Sequence, residues 1–73
     1  ATVSVDTKNL SPALVLEIVK MIKNAGRQIT SLRIGEGEAG IDVVGPLSDM
    51  MSLRDMLEHE EQIGPRRVAI ERH

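Results

Sequence analysis

Apolar and polar positions alternate over residues 2–6, TVSVD, with Val3 and Val5 on one side. That period of two predicts a short strand with one buried face. The period lengthens after Ser11-Pro12, an N-cap serine followed by proline at the first helical position. Leu14, Ile18, Met21, Ile22 and Ala25 then recur at helical spacing within 13–25. Gly26 closes this helix, and Lys23 stands in its last turn, where a cation suits the helix dipole.

Period two returns in 28–34, QITSLRI. Strict alternation puts Thr30, Leu32 and Ile34 on one face and Ile29, Ser31 and Arg33 on the other. A third strand, IDVV at 41–44, sets Ile41 and Val43 against Asp42 and Val44 and stops at Gly45-Pro46. Ser48 or Asp49 is expected to cap a second helix running to about Gln62, with Leu47, Met50, Leu53 and Leu57 along one stripe. Gly64-Pro65 ends it, and 66–72, RRVAIER, makes a last strand with Val68 and Ile70 facing inward.

The order strand, helix, strand, strand, helix, strand predicts an α+β fold. It is the ferredoxin-like βαββαβ plan, a four-stranded antiparallel sheet with two helices on one face, and it takes up 1–73 as a single domain. Right-handed crossovers would set the first and third strands side by side at the centre.

Between the second and third strands stands GEGEAG, residues 35–40, which matches G-x-G-x-x-G letter for letter. A dinucleotide loop needs a helix straight after its last glycine, because the helix N-terminus carries the pyrophosphate. Here Gly40 leads into a β-branched strand, and Glu36 and Glu38 would repel phosphate. The segment is therefore expected to be a hairpin turn whose glycines accept positive φ, and no cofactor is expected.

Composition narrows the function. The chain of 73 residues has no Cys, Phe, Tyr or Trp and only two His. Disulfides and thiolate metal sites are excluded, and no metal site is expected. The serines have no evident histidine base, so no catalytic residues and no enzyme activity are expected. The aliphatic core of so short a chain is small, and self-association is the remaining route to robustness. The net charge of −2 and the lack of rings for base stacking argue against nucleic acid. No stretch has the length of a membrane span and no signal pattern opens the chain, so no membrane partner and a cytoplasmic location are expected.

Three clusters remain. Glu58-His59-Glu60-Glu61 could be an acid–base or metal site, but neighbouring helix positions point apart and a solvated helix end explains it better. Arg66, Arg67 and Arg72 make the last strand basic. They are the basis of the alternative function, a nucleic-acid-binding ferredoxin-like domain, although charge that protects an edge strand accounts for them as well. The first helix is apolar nearly all round: Glu17, Lys20 and Asn24 form one narrow polar row and leave Val15, Leu16 and Val19 at its boundary. These three are the candidate interface of a homodimer or higher oligomer, to which Met50, Met51 and Met56 of the second helix could add.

The stretch Asn24-Ala25-Gly26-Arg27-Gln28-Ile29-Thr30-Ser31-Leu32 lies after a helix and before a hairpin. With Leu53-Arg54-Asp55-Met56-Leu57, Pro65-Arg66-Arg67-Val68 and the element order, it resembles ACT-type regulatory domains. That resemblance implies a non-enzymatic regulatory or oligomerisation module and domains paired into larger sheets. It also implies a small-molecule effector at the loop between the first strand and first helix, where Asp6 and Asn9 are the candidate ligand residues. In this chain that loop, 6–12, has no glycine.

Overall fold

The structure, a computed structural model, describes residues 1–34, 37–64 and 67–71. The elements follow as β1 (Thr2–Asp6), α1 (Pro12–Asn24), β2 (Gln28–Arg33), β3 (Gly40–Val44), α2 (Leu47–Glu58) and β4 (Val68–Glu71). The four strands form one sheet in the order β2-β3-β1-β4, antiparallel at each pairing. β1 and β3 are the central pair, as expected from the crossovers.

Alternation decides which face is covered. Val3 opposes Val43 and Ile70, and Val5 opposes Ile41 and Val68. Opposed residues share a face. Val3, Val5, Ile41, Val43 and Val68 join Ile18 and Ile22 of α1, Met50, Leu53 and Leu57 of α2, and Ile63 in one buried cluster. Both helices therefore pack on the same face of the sheet. The opposite face carries Ser4, Asp42 and Ala69, which oppose one another across β3, β1 and β4.

Local chemistry sets the ends of α1. The Ser11 hydroxyl accepts from Leu14 N at 3.2 Å, Pro12 begins the helix, and Gly26 follows it at φ +74°. That φ is in the left-handed region, where glycine lacks the Cβ that makes it unfavourable. Arg27, leaving the turn, meets Asp49 of α2 at 3.3 Å and so ties the entry of β2 to the second helix.

Three expectations need correction. β2 does not alternate strictly. Its register with β3 slips between Ile29 and Ser31, so Ile29 opposes Val43, Ser31 opposes Asp42, Leu32 opposes Ile41 and Arg33 opposes Gly40. Thr30 is the extra residue of a β-bulge, which inverts the parity of the residues after it. Ile29 and Leu32 thus share the helix side, while Ser31 and Arg33 take the open side. The second correction concerns α2. It starts behind Pro46 with no side-chain cap from Ser48 or Asp49, and it ends at Glu58 rather than near Gln62. Residues 60–63 turn instead, with Ile63 N donating to Glu60 O at 3.1 Å, and this brings Ile63 into the core. Leu47, placed on the α2 stripe by its spacing, is exposed. Third, the described part of the last strand begins at Val68; the expected positions of Arg66 and Arg72 lie outside the described residues.

Candidate functional site

Two surfaces flank β2, one on each side of the sheet, and Arg33 lines both.

On the helix side lies an apolar groove of about 400 Å³ lined by Leu10, Pro12, Val15, Leu16, Val19, Leu32 and Ile34, with Thr7, Arg33 and Ala39 at its margin. Three local features build it. The nearly all-apolar α1 presents Leu16 outward, beside the half-buried Val15 and Val19, whose inner sides pack against the core. The bulge in β2 turns Leu32 to the same side. The loop after β1 brings Leu10 alongside, held by Leu10 N donating to Thr7 O and Thr7 N donating to Ala39 O, each at 3.1 Å. The walls are large side chains left in water: Leu16 is 54% exposed, Leu32 51% and Ile34 89%. β2 is an edge strand, so the groove runs beside an open row of backbone donors and acceptors. The candidate interface residues Val15, Leu16 and Val19 are thus brought together. Leu32 and Ile34 were missed as their partners, because the bulge is invisible to an alternation count. Met50 is in the core, whereas Met51 and Met56 are exposed on α2 and do not line the groove.

On the open side a network crosses three strands. Asp42 of β3 accepts from the Ser4 hydroxyl of β1 at 2.9 Å. It pairs with Arg33 of β2 at 2.5 Å through Nη1 and 3.2 Å through Nη2. Arg33 Nε also donates to Glu38 O at 3.2 Å, and Thr30 Oγ1 donates to Asp42 O at 3.2 Å, pinning the bulge. The hydrogen bonds from Arg33, then that from Ser4, hold the Asp42 carboxyl below the ordinary carboxylate range against the opposing effect of its partial burial. Gly40 is what lets Arg33 lie across β3. A Cβ there would stand 2.6 Å from Arg33 Nη2 and 3.1 Å from Val5 O. The last glycine of GEGEAG is therefore a strand position under an arginine. Gly37 sits at φ +90° in the turn between the paired strands β2 and β3, while Gly35 and Glu36 lie outside the described residues.

Beyond that network, a shallow hollow of about 670 Å³ takes in Ser4, Asp6, Lys8, Arg33, Glu38 and Arg67. Asp6 accepts from Lys8 N at 2.9 Å, and Arg67 Nη1 donates to the Lys8 carbonyl. Of the two candidate ligand residues, Asp6 lines this hollow. Asn9 is exposed and does not, and it holds a φ of +67° that asparagine tolerates better than most side chains. Lys8, Arg33 and Arg67 are matched there by Asp6, Glu38 and the nearby Asp42, so the hollow has no excess of one sign. Of the basic trio, Arg67 is described and turns onto the Lys8 loop; Arg66 and Arg72 lie outside the described residues.

His59 is the C-cap of α2, its Nδ1 lying 2.6 Å from the Asp55 carbonyl oxygen. Among the described residues, no three His, Asp or Glu side chains converge as a metal site would require. Nor is any described helix long and apolar enough to cross a membrane. Comparison with known proteins finds no family model that matches, no matching curated protein and no matching solved structure.

Proposed function

We propose that this chain is a non-enzymatic association module of ferredoxin-like architecture, similar in kind to ACT-type regulatory domains. Two features support the fold assignment. The element order is strand, helix, strand, strand, helix, strand, and each βαβ half is split by a strand of the other: β3 lies between β1 and β2, and β1 lies between β3 and β4. One observation carries the function. Val15, Leu16, Val19, Leu32 and Ile34 form an apolar groove along an open strand edge, on a chain whose core is aliphatic and small. Burying that groove removes apolar surface from water and enlarges the effective core in one step. The histidine at the end of α2 serves as a helix cap, which favours a binding role over an acid–base one. A small-molecule effector would meet Asp6 in the balanced hollow on the open face.

Sedimentation equilibrium from low to high micromolar concentration tests the proposal. A mass that rises from monomer to a discrete oligomer is expected. A monomer at every concentration would refute it.

A further inference from the structure

We propose that the groove beside α1 receives an amphipathic helix of another protein, laid antiparallel to α1, with acidic residues in its first turn and apolar anchors after them. The inference rests on reading this groove as an association surface, and it names the partner's chemistry.

Charge is unevenly distributed around α1. Leu16 and Val19 wall the groove. Lys20 follows Leu16 by four residues and Lys23 follows Val19 by four, so both continue that wall toward the end of the helix. Both are exposed, and neither makes an ion pair among the described residues. Glu17, the one acid of α1, shares its side of the helix with Asn24 and is turned away from that wall. Among the described residues no carboxylate lines the groove, whose one charged margin is Arg33. A chain of net charge −2 thus has apolar walls that run into a cationic end.

The shape suits a helix. From Pro12 to Val19, α1 advances about 10 Å, or about two turns. A facing helix covers that length with apolar side chains at i, i+4 and i+7. A strand fits less well, because the Thr30 bulge interrupts the row of backbone groups along β2. A flat lipid surface does not reach into a concave floor, and the net charge gives no general attraction to anionic lipid. A second copy offers apolar surface but carries its own Lys20 and Lys23 into the contact. An acidic helix brings apolar surface and counter-charge together. Its direction follows from the dipoles. Lys20 and Lys23 lie toward the C-terminal end of α1, so the partner's acids belong at that end. Acids stabilise a helix at its N-terminus, so the partner's first turn sits over the last turn of α1.

The probe is a synthetic peptide with Glu in its first turn and Leu at i, i+4 and i+7 after it, followed by fluorescence anisotropy at low ionic strength. Micromolar binding is expected. Exchanging Glu for Lys, or moving the Glu residues behind the Leu anchors, should weaken binding about tenfold. Lys20→Glu combined with Lys23→Glu should weaken the Glu peptide about tenfold and strengthen the Lys peptide, an inversion that unfolding would not produce. Glu17→Lys, on the far side of α1, should leave the order of the peptides unchanged. Equal binding of the Glu and Lys peptides to wild type overturns the proposal. So does a wild type that ignores both peptides and binds phosphatidylglycerol vesicles, which would assign the groove to a lipid surface. A chain that self-associates yet takes neither peptide overturns this partner and leaves the association reading standing. A chain that stays monomeric and takes the peptides in the expected order supports the partner and overturns self-association.

Discussion

Truncating Leu16 separates association from folding. Leu16 is 54% exposed and lies outside the buried cluster, so its inner half is what the monomer has to lose. Full burial of a leucine side chain stabilises by roughly 1.5–3 kcal/mol, so covering the exposed half on association contributes about 1 kcal/mol. A symmetric dimer covers it twice, for about 2 kcal/mol, which is close to a 30-fold change in dissociation constant. Leu16→Ala should weaken self-association by about that factor while lowering monomer stability by no more than ~1 kcal/mol. Sedimentation equilibrium gives the first quantity; urea unfolding at the lowest usable concentration gives the second. Leu16→Glu should go further, since it brings a carboxylate into an apolar contact. Val19→Glu is a less selective probe: Val19 is half-buried and packs against the core, so its charge also destabilises the monomer. An L16A variant that assembles as tightly as wild type would refute the reasoning, as would one whose monomer unfolds as readily as a core cavity mutant.

Ile22→Ala supplies that comparison: Ile22 is fully buried, and its truncation should cost about 2–5 kcal/mol, read by urea unfolding, a large share of the ~4–11 kcal/mol usual for a chain this size. Asp42 has its pKa lowered by Arg33 and Ser4 in the folded chain, so its stabilisation is present above the ordinary carboxylate pKa of about 3.9 and is lost as pH falls through its lower folded value. Urea midpoints taken down through the acid range should therefore fall more steeply for wild type than for D42N, and parallel curves would refute the role given to the pair. Gly40→Ala sets a Cβ against Arg33 Nη2, so the guanidinium has to shift, and the Asp42 carboxyl, followed by NMR titration, should move up toward its ordinary range as that contact loosens. Glu38→Ala should leave stability within about 0.5 kcal/mol by urea unfolding, because the Glu38 side chain is exposed and Arg33 bonds its backbone carbonyl.

Much of the fold was legible because local chemistry and period agree. Ser11-Pro12 and Gly26 delimit α1, and Val3, Val5, Ile41 and Val43 mark the covered face of the central strands. The second helix was overextended for a readable reason. Leu53, Leu57 and the acids after it look like one continuing helix, but carboxylates in a last turn oppose the dipole. The chain leaves the helix after Glu58, which puts Glu60 and Glu61 in the following turn and delivers Ile63 to the core. The faces of β2 were not legible. QITSLRI alternates well enough to be read straight, and the bulge exists only against β3, where Thr30 bonds the Asp42 carbonyl and Ser31 takes the place across from Asp42. Half of the candidate surface, Val15, Leu16 and Val19, follows from helical spacing. The other half, Leu32 and Ile34, depends on that inter-strand slip.

Arg33 shows why the remainder could not be read locally. Along the chain it is a lone cation in an edge strand, the kind of residue that keeps such an edge from pairing. Its effect depends on a carboxylate nine positions away and on a glycine whose missing Cβ leaves room for Nη2 of the guanidinium. Once Asp42 takes that charge to the open face, the edge of β2 presents an uncharged row beside an apolar groove. A contact that steadies three strands on one side of the sheet thus draws the strand's charge toward the open face and leaves the bulge as the irregular feature of the edge. This makes the Asp42 pair a determinant of association as well as of stability. Freeing Arg33, by D42N or by acid, leaves an unpaired cation at the margin of the groove, where an apolar partner surface would have to cover it. Association should then weaken under conditions that leave the monomer folded, and the effect should diminish with added salt, which screens exposed charges over a distance of ~10 Å at 0.1 M. Sedimentation of D42N at low and high salt measures it directly. A D42N chain that dimerises as tightly as wild type at low salt would show that Arg33 never guarded this edge.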